Sequence, residues 1–249
     1  MPHSVKRLRP AACRAVLACL LGAIALGTYA GHAVGDAGRV EQLAGTLSVT
    51  GADGKIRILS RKSVIRSGDT INTERDSYAQ IKFADGGRVT LKPNTTVRLD
   101  RFNFVKEKPK EDSFVYSLLR GGLRAVTGLL GQRSKDAYEL KTETATVGIR
   151  GTTFSADDCS SDRTSLDCAR LEPAVYVGVT DGEIVVRNAQ GELGLAAGQF
   201  GLIERDKRPL FLSTDPGLHF TPPASFIASL AGGSTLNAGR AMECVVGQP

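Results

Sequence analysis

Short runs of alternating apolar and polar residues, each ended by a glycine-containing turn, constrain this chain most strongly. Ala79, Ile81 and Phe83 alternate with polar residues, and after the turn ADGG the alternation resumes at Val89 and Leu91. Such alternation places the apolar side chains on one face of a strand, and an Asp-Gly turn between two runs is typical of a β-hairpin. The pattern recurs from residue 38 onward, and the chain contains 28 glycines. The sequence therefore predicts an all-β fold of short strands and hairpins.

These units recur without one strict period, which fits either a solenoid-like or a sandwich-like body over residues 38–212. A second hairpin is expected around Asp181 and Gly182, in the stretch AVYVGVTDGEIVV. Residues 113–131 are leucine-rich, but four glycines would break a helix there, so two short strands or irregular elements are expected. Residues 105–112 are charge-rich and predict a solvated loop at a hairpin tip. Residues 213–249 are rich in Pro, Gly, Ala and Ser and predict a loosely packed tail.

The first 33 residues are expected to form a signal peptide. Lys6, Arg7, Arg9 and Arg14 precede an apolar run and small residues, and the first acidic residue is Asp36. An uncleaved membrane anchor is the alternative, because that uncharged stretch could just span a bilayer. No second apolar run of that length follows, so no membrane span is expected after the leader. The chain is expected to be periplasmic or secreted.

In an oxidising compartment Cys159 and Cys168 are a natural disulfide pair, which leaves Cys244 free or intermolecular. A metal site is disfavoured there because the cysteine spacing is unsuitable and no histidine lies nearby.

The sequence offers little for catalysis. Cleavage of the leader could follow Ala30 or Ala33, which leaves at most two histidines, His32 and His219. No nucleophile, zinc or phosphate-loop motif is present. Four of the six net positive charges belong to the leader, and no basic stripe with interleaved aromatic residues suggests nucleic-acid binding. We therefore expect a non-enzymatic protein without cofactor, metal or nucleic-acid partner.

The stretch TATVGIRGTTF, residues 144–154, alternates like a strand yet contains two glycines around a lone arginine. Interior glycines usually mark bulges or corners, so a structural role is expected, with Val147 and Ile149 buried and Arg150 reaching a carboxylate or carbonyl. The alternative is an anion or peptide contact made by Arg150 and the adjacent amides.

Several motifs together resemble the FecR domain family, over roughly Val40 to Ile203. A Gly-Asp pair at residues 68–69 precedes a short strand, and an Asp-Gly hairpin follows at residues 85–86. A Pro-Asn-Thr turn lies at residues 93–95, and a Gly-Ile-Arg-Gly-Thr-x-Phe element lies at residues 148–154. The motif positions taken as site residues are Gly68, Asp69, Asp85, Gly86, Gly148, Arg150, Gly151, Thr152 and Phe154.

The resemblance implies a periplasmic, β-rich module related to regulators that sense an outer-membrane transporter and signal to a sigma factor. Those regulators carry a helical sigma-binding domain ahead of the membrane, whereas only about a dozen residues precede the apolar run here. Two functions stay open. One is a protein-interaction or envelope-sensing module with an envelope protein as partner. The other is a structural or glycan-associated envelope protein.

Overall fold

The computed structural model describes residues 35–160, 168–218, 220, 222–224 and 226–227. They form an all-β body with one short helix, α1 (Leu129–Arg133). The strands are β1 (Asp36–Ala44), β2 (Leu47–Thr50), β3 (Ile56–Leu59), β4 (Val64–Arg66), β5 (Thr70–Thr73), β6 (Tyr78–Phe83), β7 (Arg88–Leu91), β8 (Thr96–Asn103), β9 (Ser113–Val126), β10 (Tyr138–Lys141), β11 (Thr146–Asp158), β12 (Val175–Asn188), β13 (Gly191–Ala196), β14 (Phe200–Ile203) and β15 (Leu210–Leu212).

The strands form a single hydrogen-bonded sheet that doubles over into two layers. The upper layer runs β3-β2-β5-β8-β9-β10-β11-β12-β13, and the lower layer runs β4-β1-β6-β7-β9-β11-β12-β14-β15. All neighbours are antiparallel except β9 and β10. Consecutive strands often change layer, so the chain coils as a solenoid does while the layers stack as in a sandwich. The all-β prediction is confirmed, while the terms solenoid and sandwich describe this single sheet only loosely.

Three long strands, β9, β11 and β12, belong to both layers. The first half of β9 pairs with β8 and β10, and its second half pairs with β7 and β11. β11 and β12 pair along most of their length, with register shifts between Arg150 and Phe154. Each strand therefore bends at a glycine: Gly121 in β9, Gly151 in β11 and Gly182 in β12, all with positive φ. A side chain would make that backbone conformation costly, which explains why glycines stand inside these strands.

The core lies between the two layers and includes the buried face of almost every strand. Phe83 of β6 packs with its ring centroid 4.5 Å from that of Phe114 of β9 and 5.4 Å from that of Phe102 of β8. Val147 and Ile149 are both buried, as the alternation predicts. Each such side chain contributes about 1.5–3 kcal/mol when fully buried, so this core is what holds the layers together.

Two sequence predictions about local structure are wrong. Asp181 and Gly182 do not end a hairpin but lie inside β12, which runs unbroken from Val175 to Asn188. Residues 113–131 form one strand of 14 residues, β9, followed by helix α1, and not two short strands. In both places a glycine bends a continuous strand between layers instead of reversing the chain. The hairpin at Asp85 and Gly86 is confirmed: it joins β6 to β7.

The expected leader, Cys244 and residues 228–249 lie outside the described residues. Within the described part, residues beyond β15 run back over the lower layer. There Phe226 is only 2% exposed, and its ring lies 6.0 Å from that of Tyr78 on β6. No helix among the described residues is long and apolar enough to cross a membrane.

Candidate functional site

The conspicuous motif at residues 148–154 forms a bend where β11 and β12 pass together from the upper to the lower layer. We call Gly151, Thr152 and Gly182 the glycine corner. A Cβ on Gly182 would overlap sterically with the Gly151 carbonyl oxygen and lie 3.1 Å from the Thr152 Cα, and the φ of Gly182 is +79°. Gly151 also has a positive φ, +62°. Both conditions favour glycine, so the corner is set by backbone packing.

Thr152 and Phe154 fix this corner to its neighbours. The Thr152 amide donates to the Thr127 hydroxyl at 2.8 Å, and the Thr152 hydroxyl donates to the Glu183 carbonyl at 3.2 Å. Phe154 is fully buried in the core. These residues therefore anchor the bend, as the structural interpretation of the motif proposes.

Gly148 and Arg150 do not share that role. A Cβ on Gly148 would make an ordinary contact, 3.8 Å from the Val185 carbonyl oxygen, and the residue has no positive φ. The Arg150 backbone pairs with Glu183 of β12, but its exposed side chain makes no hydrogen bond or ion pair with the rest of the described chain. The expected reach of Arg150 to a carboxylate or carbonyl is therefore not seen there.

Gly68 and Asp69 form the turn from β4 to β5. Gly68 has φ +87°, and its amide donates to the Leu99 carbonyl at 2.7 Å. The buried Asp69 carboxylate accepts from the Arg66 amide at 2.9 Å and from the Arg57 guanidinium at 3.2 Å. Because Arg57 lies in β3, this carboxylate ties the β2–β3 hairpin to the turn.

Asp85 and Gly86 form the hairpin between β6 and β7. The buried Asp85 carboxylate accepts from the Gly87 amide at 3.0 Å and from the Leu130 amide at 3.3 Å. Leu130 lies in the first turn of α1, where backbone amides lack partners within the helix. Asp85 therefore closes its own turn and caps a helix far along the chain.

Burial of Asp85 should be visible in its titration. Removal from water raises the pKa of Asp85 above the ordinary 3.8, against hydrogen bonds from Gly87 and Leu130 that lower it. The Arg133 guanidinium, through its hydrogen bonds, lowers the pKa of Asp112 below 3.8. We expect carboxyl ¹³C NMR to show Asp85 titrating at higher pH than Asp112.

The two shifts have opposite consequences for stability. The raised folded pKa of Asp85 penalises the folded state at pH values above it, and this penalty is relieved as pH falls through the raised pKa to the ordinary value of the unfolded chain. Asp112 contributes above its unfolded pKa, and that contribution is lost as pH falls through its lowered folded pKa. An Asp85 that titrates at or below Asp112 would contradict the burial described.

Segment 104–112, which joins β8 to β9 and contains the charge-rich residues 105–112, is fixed by a residue that the sequence did not single out. Arg133, at the end of α1, makes two hydrogen bonds of 2.8 Å with the Asp112 carboxylate and donates to the carbonyls of Val105 and Lys106. Its guanidinium also lies 4.7 Å from the ring centroid of Phe104. The segment is a hairpin tip, as predicted, but one that is fixed at its base.

A second unpredicted feature is a buried ion pair on the outer face of the lower layer. The ammonium of Lys92 lies 2.6 Å from a carboxylate oxygen of Asp157, and their side chains are 10% and 6% exposed. A Cβ on Gly122 would overlap this carboxylate. Gly122, next to the bend glycine Gly121, thus makes room for the pair. A sequence pattern cannot reveal the pair because its two residues are far apart in the chain.

The predicted disulfide joins Cys159 and Cys168, with Cα atoms 5.1 Å apart. It packs with Ala174 and Tyr176 in a small satellite core. In a Cys244→Ser background, replacing both cysteines with alanine should lower the free energy of unfolding by about 2–3 kcal/mol. Chemical denaturation with and without reductant measures this. A reduced protein as stable as the oxidised one would show that the bridge adds nothing.

Two clefts are present in the described part of the chain. One, of about 1040 Å³, lies open between segment 109–113 and the outer face of β8 to β10, and mixed charges line it. The other, of about 190 Å³, lies beneath residues 215–220 and is lined by Arg124, Ser155 and aromatic rings. Neither brings a nucleophile and a base together. Among the described residues no cluster of three or more metal-ligating side chains occurs.

The motif residues are thus distributed over three separate turns and bends, and do not converge on one pocket. Their buried polar groups bond to backbone groups or to neighbouring side chains of the same fold. Among the polar side chains of the motif, that of Arg150 is the one exposed to solvent. This arrangement can present surfaces, edges and loops to a partner.

Comparison with known proteins agrees with these motifs. Residues 69–185 match the sequence model of a family described as FecR protein. That range begins at the buried Asp69 and includes all of β9 and β11. No curated protein matches the chain in sequence.

Among solved structures, two crystal structures of a candidate anti-sigma factor from Parabacteroides distasonis, at 1.65 Å and 2.50 Å resolution, are similar in part. Each is 16% identical, with a TM-score of 0.46, and each match covers 59% of this chain. The chain spans 60% of the length of those structures.

Proposed function

Because residues 69–185 of this chain are a FecR domain, we propose that the protein is a non-enzymatic, periplasmic module that binds another protein of the cell envelope and takes part in sensing. The family match is the observation that carries this proposal. FecR proteins are associated with the envelope, and the N-terminal basic and apolar segment is the leader that such a location needs. The disulfide between Cys159 and Cys168 suits an oxidising compartment.

The use of the motif residues supports binding over catalysis. Asp69, Asp85 and Thr152 are buried and bonded within turns and bends. A catalytic acid, base or nucleophile has to reach a substrate, whereas these groups hold the fold together. The proposed role of the motif is to keep the sheet in a fixed shape that presents its outer surfaces.

Crosslinking in native cells tests the proposal. The full chain, tagged at its C-terminus, is crosslinked and purified, and the bound proteins are identified by mass spectrometry. One dominant envelope receptor or sensor is expected. Absence of a protein partner, together with sedimentation on purified peptidoglycan or a reducible dimer through Cys244, would replace the proposal with a structural or glycan-associated role.

An Arg150→Ala variant sharpens that experiment. Because the Arg150 side chain is exposed and bonds to no other described residue, we expect the variant to fold as the parent chain does. Circular dichroism and thermal unfolding check this. Loss of the captured partner from a folded variant would place Arg150 in the contact, while a variant that fails to fold would contradict its position in the structure.

A further inference from the structure

The strongest unexplained surface is the free edge of β3. This strand pairs with β2 alone, so its other side has no neighbouring strand in the described chain. Ile56 and Ile58 are 73% and 72% exposed there, more than any other large hydrophobic side chain of the described residues. An exposed edge strand with apolar side chains is a template for another strand, and folded proteins usually cover or charge it.

The backbone of this edge is also unpaired. The Gly51 amide donates to the Lys55 carbonyl at 2.9 Å, which makes these two residues a hydrogen-bonded pair. Hydrogen-bonded pairs alternate along antiparallel strands, so the next such pair is Val49 with Arg57. The amide and carbonyl groups of Ile56 and Ile58 therefore face away from β2, toward the open side.

The surroundings of the edge are basic. Residues 53–66 contain five basic residues, Lys55, Arg57, Arg61, Lys62 and Arg66, against the single acidic residue Asp53. Asp53 already pairs with Lys55, at 3.2 Å. Outside this stretch, Asp69 pairs with Arg57 at 3.2 Å and Asp36 lies 3.9 Å from Arg66. Arg61 and Lys62 form no ion pair with the described residues, and their positive charge favours an acidic partner through electrostatic complementarity.

We propose that β3 is a docking edge for an extended acidic segment of another protein, which adds to it as a further strand. The inference rests on the proposed function and names the surface that would perform it. Main-chain hydrogen bonds to Ile56 and Ile58 supply affinity, apolar side chains at alternate positions of the segment cover the two isoleucines, and its acidic residues face the basic rim.

Other occupants fit less well. Pairing of two copies through this edge would bring together two surfaces that each carry the unpaired charges of Arg61 and Lys62, and like charge on both sides disfavours such association. An anionic lipid surface would satisfy the basic rim, but it offers no ordered row of donors and acceptors for the edge. The free backbone groups therefore favour a peptide strand.

The test uses the purified full chain, labelled with ¹⁵N, and a short peptide of alternating glutamate and valine. We expect the peptide to shift the amide signals of Ile56 to Leu59 and to slow hydrogen exchange at Ile56 and Ile58. A peptide of the same sequence, N-methylated on the amides of one edge, keeps its charge and side chains but cannot donate hydrogen bonds. It should bind at least tenfold more weakly.

Two matched variants locate the site. Ile58→Glu adds a negative charge to the β3 edge and should weaken binding at least tenfold. Phe211→Glu makes the same change on β15, another edge strand, where the parent side chain is 52% exposed, and should leave binding unchanged. Ile58→Pro removes one edge amide that the fold does not use, and it should act as Ile58→Glu does.

Several results would overturn the proposal. The N-methylated peptide could bind as tightly as the parent peptide, or the peptide could shift the signals of β15 instead of those of β3. The protein could form a concentration-dependent dimer through β3, or it could bind phosphatidylglycerol vesicles and not the peptide. If a chain carrying Ile58→Glu still captured a partner in cells, the proposed function would stand, but β3 would not be the docking edge.

Discussion

A Gly182→Ala variant should lose at least about 3 kcal/mol of its free energy of unfolding, a large effect for a single methyl group. Gly182 has φ +79°, and its new Cβ would collide with the Gly151 carbonyl oxygen. The obstacle is backbone, which cannot move aside as a flexible side chain could. Relief would need β11 and β12 to separate where they pass between layers. Chemical denaturation followed by circular dichroism measures the loss.

Gly148→Ala is the matched control for this prediction. The residue lies in the same motif and on the same strand pair, but its new Cβ would come only within 3.8 Å of the Val185 carbonyl oxygen. We expect a change of no more than about 0.5 kcal/mol. If the two variants were equally stable, the corner would not depend on glycine and the described bend would be wrong.

An Arg133→Ala variant should release segment 104–112 from the body of the protein. The substitution removes two hydrogen bonds to Asp112, two to backbone carbonyls and the contact with Phe104. It also leaves the Asp112 side chain, which is 0% exposed, without its cation. Because proteolysis follows local opening, cleavage after the lysines of this segment should speed up roughly tenfold or more.

Arg187→Ala provides the comparison. Arg187 pairs with Glu192 at 2.6 Å, but both side chains are more than half exposed, at 58% and 55%. Exposed pairs of this kind contribute little, so cleavage of segment 104–112 should be unchanged. A folded Arg133→Ala protein with the parent cleavage rate would mean that the loop is held by something other than Arg133.

The alternation of apolar and polar residues was sufficient to predict the all-β class and the buried faces of several strands, such as that of Val147 and Ile149, but not that of β3, where Ile56 and Ile58 are exposed. It could not separate a hairpin from a bent strand, because an Asp-Gly pair serves in both. At Asp85 and Gly86 the chain reverses, whereas at Asp181 and Gly182 it bends and continues. The difference depends on long-range pairing: β12 is held on both halves by β11, which has its own glycine at the facing bend.

The contacts that fix the loops were equally beyond a local pattern. Arg133 and Asp112 are separated by 21 residues, and no motif marks either of them. Asp85 was selected for its turn, but its second contact, with the Leu130 amide, is 45 residues away. The exposed Ile56 and Ile58 look in the sequence like the inner face of one more strand. Only the sheet order shows that this strand stands at an edge.

The most direct test of the central claim is site-specific photocrosslinking in native cells, with a photoreactive residue placed at position 58 or, as control, at position 211. The account predicts that one envelope protein crosslinks from position 58 and not from position 211, through an acidic extended segment. Crosslinking from position 211 alone would support the proposed interaction function but contradict the proposal that the partner docks on β3. No crosslinked protein from either position, with the chain sedimenting with peptidoglycan, would contradict the interaction function itself.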